Sequence, residues 1–177
     1  MKSTGVIRRI DELGRIVIPK EIRKTLRIHD GDSLEIFTDN NENIILSKFS
    51  SLGKISDYAL NFSKTIYKFL KKDIIITDTD KIIAIDGNLK KKYNNKEISS
   101  ELSRYLKTRE LTNLEELTNL KIINDEILEG YFIISPIIVN SDTIGLIIIY
   151  SSDDKLKEID SKIIQFVTSF FTKYLED

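Results

Sequence analysis

The chain has 177 residues, with 27 basic and 28 acidic side chains, one histidine, no cysteine and no tryptophan. Without cysteine there are no disulfides, thiolate metal sites or cysteine nucleophiles. The first residues, Met1-Lys2-Ser3-Thr4-Gly5, form no apolar leader, and apolar runs such as 144–150 fall well short of the roughly 20 residues that span a bilayer, so a cytoplasmic protein with no membrane partner is expected.

In chain order, Val6, Ile7 and Ile10 lead into Asp11-Glu12-Leu13-Gly14, and Ile16-Val17-Ile18 reads as a β-branched return strand. Gly14 suits the positive φ of the tight reversal between them. Pro19 stops that strand, and its fixed φ suits the start of a short helix over 20–26, with Ile22 and Leu26 at i, i+4 on one side. His29-Asp30-Gly31-Asp32 is a turn, 33–38 a strand, 39–42 a second turn and 43–49 another strand.

The charges of this first segment are segregated. Residues 1–29 hold Lys2, Arg8, Arg9, Arg15, Lys20, Arg23, Lys24 and Arg27 against Asp11, Glu12 and Glu21, eight cations to three carboxylates. Residues 30–49 reverse the balance, with Asp30, Asp32, Glu35, Asp39 and Glu42 against Lys48. A localised basic face is the electrostatic footprint of phosphate binding. The run Glu12-Leu13-Gly14-Arg15-Ile16-Val17-Ile18-Pro19 resembles the hallmark of the AbrB family of bacterial transition-state regulators, whose N-terminal domain is a swapped-hairpin β-barrel dimer. The resemblance implies contacts to double-stranded DNA by Arg8, Arg15, Arg23 and Lys24, with Lys2, Arg9 and Arg27 as secondary contacts. Lys24 departs from the arginine common in relatives, and a lysine cannot reproduce bidentate recognition of guanine, so a phosphate role is expected for it. A helix as short as 20–26 also cannot fill a groove, so readout should use loops and arginines, tolerate degenerate sites and depend on DNA deformability and salt. About 50 residues with such short strands cannot bury enough apolar surface alone, so the head must pair with a second copy.

Residues 51–54 form the expected linker between a first domain over 1–50 and a second over 55–177. From Ile55 the period becomes helical, with Tyr58, Ala59, Phe62, Ile66, Phe69 and Leu70 on one face of a helix ending near Lys71. Strands follow over 74–77 and 81–85 around Asp78-Thr79-Asp80. The polar stretch 89–120 is expected to hold a helix over 99–107 and either to act as a mobile lid over a ligand pocket or to lie over a pocket filled by isoleucine and leucine side chains, the domain then serving assembly alone. A short strand over 120–124, strands over 131–139 and 143–151, and a last helix opened by Asp153-Asp154 complete the chain. That helix spaces Leu156, Ile159, Ile163, Phe166, Val167, Phe170 and Tyr174 by threes and fours, a packed seam. The element order resembles a GAF-like sensor domain, an antiparallel sheet flanked by helices, making the whole chain α+β. Two apolar seams in one chain imply a homotetramer, with dimer contacts through 1–50 and further contacts through 55–177.

Other chemistries fit poorly. His29 beside Asp30 and Asp32 is more naturally a solvated turn than a metal site, and Asp78, Asp80 and Asp86 lack the offsets of an EF-hand. No Gly-rich phosphate loop, nucleophile elbow or catalytic Ser-x-x-Lys set is present, so neither an enzyme nor a cofactor is expected. Three functions follow from these readings. The first is a nucleoid-associated transcription regulator able to activate and to repress. The others are an antitoxin, since similar heads occur in toxin–antitoxin modules, and a sensor whose GAF-like domain binds an undefined small-molecule effector.

Overall fold

The computed structural model describes residues 5–49 and 52–176. Its contacts divide the chain into two compact units, Met1–Phe49 and Ser50–Asp177.

In the first unit, helix α1 covers Lys20–Thr25 and follows Pro19 at φ −58°. Strands β1 (Leu34–Thr38) and β2 (Ile44–Lys48) pair antiparallel from Leu34 opposite Lys48 to Thr38 opposite Ile44. The turn between them is built on Asp39, whose Oδ1 accepts the backbone N–H groups of Asn41 and Asn43, both at 2.9 Å. The return expected over 11–14 is present, with the Gly14 N–H on the Asp11 carbonyl at 3.0 Å and Gly14 at φ +75°. The strands expected on either side of it are not. Residues 5–10 and 16–18 pair with no strand among the described residues, because a two-stranded hairpin with no third strand or packed face is marginal in water. Their side chains lie open, Ile7 91%, Ile10 66% and Val17 72% exposed. Ile36 and Ile44 in the second hairpin are each 68% exposed, and Pro19 alone among this unit's described residues is buried.

The second unit has a core of its own. Helix α2 (Ser56–Leu70) precedes β3 (Asp73–Thr77) and β4 (Ile82–Asp86), and α3 is one turn over Lys90–Tyr93. Strands β5 (Thr112–Leu120), β6 (Leu128–Val139) and β7 (Asp142–Ser151) then lead to α4 (Glu158–Glu176). The sheet is antiparallel throughout, in the order β4-β3-β7-β6-β5. Asn140 and Ser141 join β6 to β7 with φ of 48° and 74°, the two positive values of the primed hairpin turn.

The isoleucine-rich strands are buried on both faces, so their side chains alternate between two cores. Ile74, Ile76, Ile133, Ile147 and Ile149 meet α2 and α4. Ile75, Ile85, Ile134 and Ile148 meet residues of the connecting segments 89–107 and 121–127, including Tyr93, Ile98, Leu102 and Ile122. Each such side chain contributes roughly 1.5–3 kcal/mol, which gives this unit the interior that the first one lacks. Leu52, expected in the linker, is fully buried here. A Cβ on Gly145 would overlap both Leu52 and the Thr77 carbonyl.

Several expectations for 89–128 change. The helix over 99–107 is a short 3-10 segment, Leu102–Lys107, preceded by Ser99, whose hydroxyl accepts the Leu102 N–H at 2.9 Å. The strand expected over 120–124 lies earlier, at Thr112–Leu120, and Ile122 and Ile123 are buried beyond its end. Around the 3-10 segment, Tyr93, Ile98 and Leu102 are buried in one cluster with Phe132 of β6, which agrees with the filled-core alternative.

The last helix also has a different phase. Its sheet-facing residues are Asp160, Ile164, Val167 and Phe171, and of the seven spaced side chains only Val167 is fully buried. It runs antiparallel to α2, with Tyr58 against Tyr174 and Phe62 against Phe170 at ring distances of 5.4 and 4.7 Å. At the opposite end of the pair, Lys72 Nζ meets Asp160 Oδ2, with side chains only 13% and 1% exposed. Asp160 Oδ2 also accepts the Lys157 N–H at 2.6 Å, the acidic half of a capping box at the start of α4. A stripe containing Tyr58, Phe69, Ile159 and Phe166 remains on the outer side.

Candidate nucleic-acid interface

The basic side chains of the first unit are held by short-range devices. Arg8 and Arg9 sit exposed on the approach to the first turn. Arg15 follows that turn, and its Nε donates to Asp11 Oδ2 at 2.7 Å. Asp11 Oδ1 also accepts the N–H groups of Leu13 and Arg15, at 3.0 and 2.8 Å. These hydrogen bonds, first the Arg15 backbone N–H and then its guanidinium, hold the Asp11 carboxyl below its usual range.

Helix α1 presents the remaining cations. It closes in a Schellman arrangement, with the Ile28 N–H on the Arg23 carbonyl at 2.8 Å and the Arg27 N–H on the Lys24 carbonyl at 3.3 Å. Arg27 takes the left-handed position, φ +53°, where glycine is usual. The closure turns the chain back so that Lys20, Arg23, Lys24, Arg27, Ile28, His29 and Asp30 line one open concavity of about 520 Å³. Arg23 Nη1 donates to Asp30 Oδ1 at 2.6 Å, with Asp30 95% exposed. Arg23 Nε is buried and has no partner among the described residues.

His29 is part of a structural turn. Its backbone N–H meets Asp32 Oδ2 at 2.8 Å, and Lys48 Nζ approaches the same oxygen at 3.1 Å. Burial would raise the Asp32 carboxyl, but these partners outweigh it and hold it below the usual range. No group of three potential metal ligands occurs among the described residues.

The structure therefore brings Arg23, Lys24 and Arg27 into one concavity and places Arg8, Arg9 and Arg15 around the first turn. Lys2 lies outside the described residues. Sequence reasoning does not single out Lys20, although it stands three and four positions before Arg23 and Lys24 on the same helical face. It also passes over Asp11 and Asp30 as partners of the arginines. The Asp11–Arg15 spacing across a glycine turn is the visible signal for one of them.

A small head with one localised basic face precedes an antiparallel sheet flanked by helices, and the relatives of this chain are DNA-binding transcription regulators. The family model described as "Stage V sporulation protein T C-terminal, transcription factor" matches residues 54–176. The chain belongs to the stage V sporulation protein T family. Stage V sporulation protein T of Bacillus subtilis (strain 168) is 39% identical over 178 residues, 99% of each chain. Transition state regulatory protein AbrB of the same organism is 51% identical over 63 residues, 32% of this chain and 65% of that protein. The model "Antidote-toxin recognition MazE, bacterial antitoxin" matches residues 7–51. The second unit shares its fold with the PixJ GAF domain of Thermosynechococcus elongatus, at a TM-score of 0.54 and 12% identity over 73% of this chain and 89% of that one.

No helix among the described residues is long and apolar enough to cross a membrane.

Proposed function

We propose that the first unit binds double-stranded DNA as a dimer, using Arg8, Arg15, Arg23 and Lys24, with Lys2, Arg9 and Arg27 adding phosphate contacts. The concavity on α1 carries this reading, because it gathers four cations against one carboxylate on an open surface. The dimer follows from the apolar side chains that the first unit leaves in water, Ile7, Ile10, Val17 and Ile36 among them. They are too many for a stable monomer and are the surface a second hairpin pair would cover. Sites should be degenerate and binding steeply salt-dependent, each phosphate contact contributing a slope of about −0.9 in log K against log salt.

The second unit, in this reading, assembles dimers into a tetramer through the outer stripe of α2 and α4, where Phe69 and Phe166 are 73% and 67% exposed. Assembly is favoured over effector binding because the face that would hold a ligand is filled by Tyr93, Phe132 and Leu102. The antitoxin alternative has the head's match to the antitoxin model in its favour. A folded second unit in place of a short toxin-binding tail favours the regulator. The protein would then act in the cytoplasm, on the nucleoid, and carry out no catalytic step.

The test is the affinity of the full chain for DNA sites selected from a random duplex pool. Arg15→Ala and Arg23→Ala should each weaken binding at least about fivefold while sedimentation shows an unchanged assembly. Affinity unchanged in both would refute the assignment, and a monomeric wild-type chain would refute the paired head.

A further inference from the structure

Building on the DNA-binding reading, we propose that Asp11 is a positioning residue that sets sequence selectivity by aiming the guanidinium of Arg15. One carboxylate holds Arg15 at both ends. Asp11 Oδ1 takes the Arg15 backbone N–H at 2.8 Å, and Oδ2 takes the side-chain Nε at 2.7 Å. The Asp11 N–H returns a bond to the Arg15 carbonyl at 3.1 Å, and the Gly14 N–H closes the turn on the Asp11 carbonyl. The arginine is thus fixed to the turn through its base and through the inner nitrogen of its head.

The choice of nitrogen matters. A guanidinium is a planar fork of five N–H donors. Asp11 occupies the Nε donor and leaves the edge formed by Nη1 and Nη2, with the Arg15 side chain 71% exposed. That two-donor edge matches guanine O6 and N7, or a pair of phosphate oxygens. Arg23 is held differently, through Nη1 by Asp30, so the edge used for bidentate recognition is already taken there. The two arginines therefore divide the work, Arg15 suited to base edges and Arg23 to a phosphate that replaces Asp30.

Positioning has an electrostatic consequence of opposite sign. An unheld arginine loses rotamer freedom when it docks, and the Asp11 contact removes that loss beforehand. The same carboxylate, 43% exposed beside the proposed contact surface, repels phosphate whatever the sequence. Asp11 therefore raises the preference for a selected site while lowering general affinity. A purely structural turn residue would change both affinities together.

The experiment uses the full chain and two duplexes at one salt concentration, a site selected from a random pool and a scrambled sequence. In Asp11→Asn the amide oxygen still accepts the Leu13 and Arg15 N–H groups, but the group facing Nε loses its charge and presents a donor. The preference for the selected site should fall about fivefold or more, the low end of one bidentate arginine–guanine pair, while affinity for the scrambled duplex stays level or rises. Asp11→Ser, which can cap the turn but cannot reach Nε, should give the same split. In an Arg15→Ala background neither substitution should alter the preference. Equal changes for both duplexes, no change, or the same loss of preference without Arg15 would each overturn the proposal. If Arg15→Ala by itself binds both duplexes as wild type does, the DNA-contact role of Arg15 fails instead.

Discussion

Replacing Lys72 by methionine tests how the helix pair is held on the sheet. Methionine keeps most of the apolar volume of the lysine stem but removes the ammonium from Asp160, whose side chain is 1% exposed. The carboxylate then keeps the Lys157 N–H on Oδ2, while Oδ1, already without a partner among the described residues, remains so. Removing one member of a buried pair costs about 3–5 kcal/mol, well above the contribution of an exposed pair. The unit spans residues 50–177. At about 2.1 cal/mol/K of unfolding entropy per residue, a unit of about 130 residues should lose about 11–19 °C in Tm. All seven tyrosines fall between residues 58 and 174 and there is no tryptophan, so tyrosine fluorescence reports the melting of this unit alone. Lys72→Met with Asp160→Leu should recover all but about 1 kcal/mol, the share of the lost capping contact. A fall in Tm of less than about 4 °C for the single variant, or a double variant no more stable than the single one, would refute the role assigned to the pair.

Asp30→Asn should remove the charge that holds Arg23 Nη1 at 2.6 Å and repels phosphate, and so raise affinity for both selected and scrambled DNA about two- to fivefold at low salt, with the gain shrinking as salt increases. Titrations at two ionic strengths check this, and unchanged affinity at low salt would count against Arg23 as a phosphate contact. Gly145→Ala should destabilise the second unit by about 3 kcal/mol or more, because its Cβ would meet the Thr77 carbonyl and Leu52; urea unfolding followed by tyrosine fluorescence gives the value. Burial raises the Asp73 carboxyl, with N–H groups of Leu89 and Asn88 opposing and the Asp86 charge adding to the rise. A folded pKa above the unfolded one makes its stabilising contribution complete below the ordinary carboxyl value of 3.8 and lost as pH rises through the folded value. Stability of the wild type relative to Asp73→Asn, which keeps the acceptor for the Leu89 N–H, should therefore decline from about pH 4 upwards, and parallel pH profiles for the two proteins would contradict it.

Much of this protein is legible in its local chemistry. Gly14 at the first reversal, Pro19 before α1 and the isoleucine strands of the second unit all depend on neighbours a few residues away, and each appears where the sequence places it. The run Glu12–Pro19 carries the resemblance of the head to the AbrB family, since one short segment combines turn, strand and helix signals. Strand β5 is not legible in the same way. It is an edge strand with a register shift between Leu114 and Thr118 and mostly exposed side chains, so neither hydrophobic alternation nor a buried run marks it. The phase of α4 is also hidden, because its apolar residues cover more than one face and only packing against both the sheet and α2 decides which turn inward. Asp160 shows the reason most directly. Its sequence neighbours read as the polar start of a helix, yet the cation that makes its burial tolerable lies 88 residues away, and only the tertiary fold brings the two charges together.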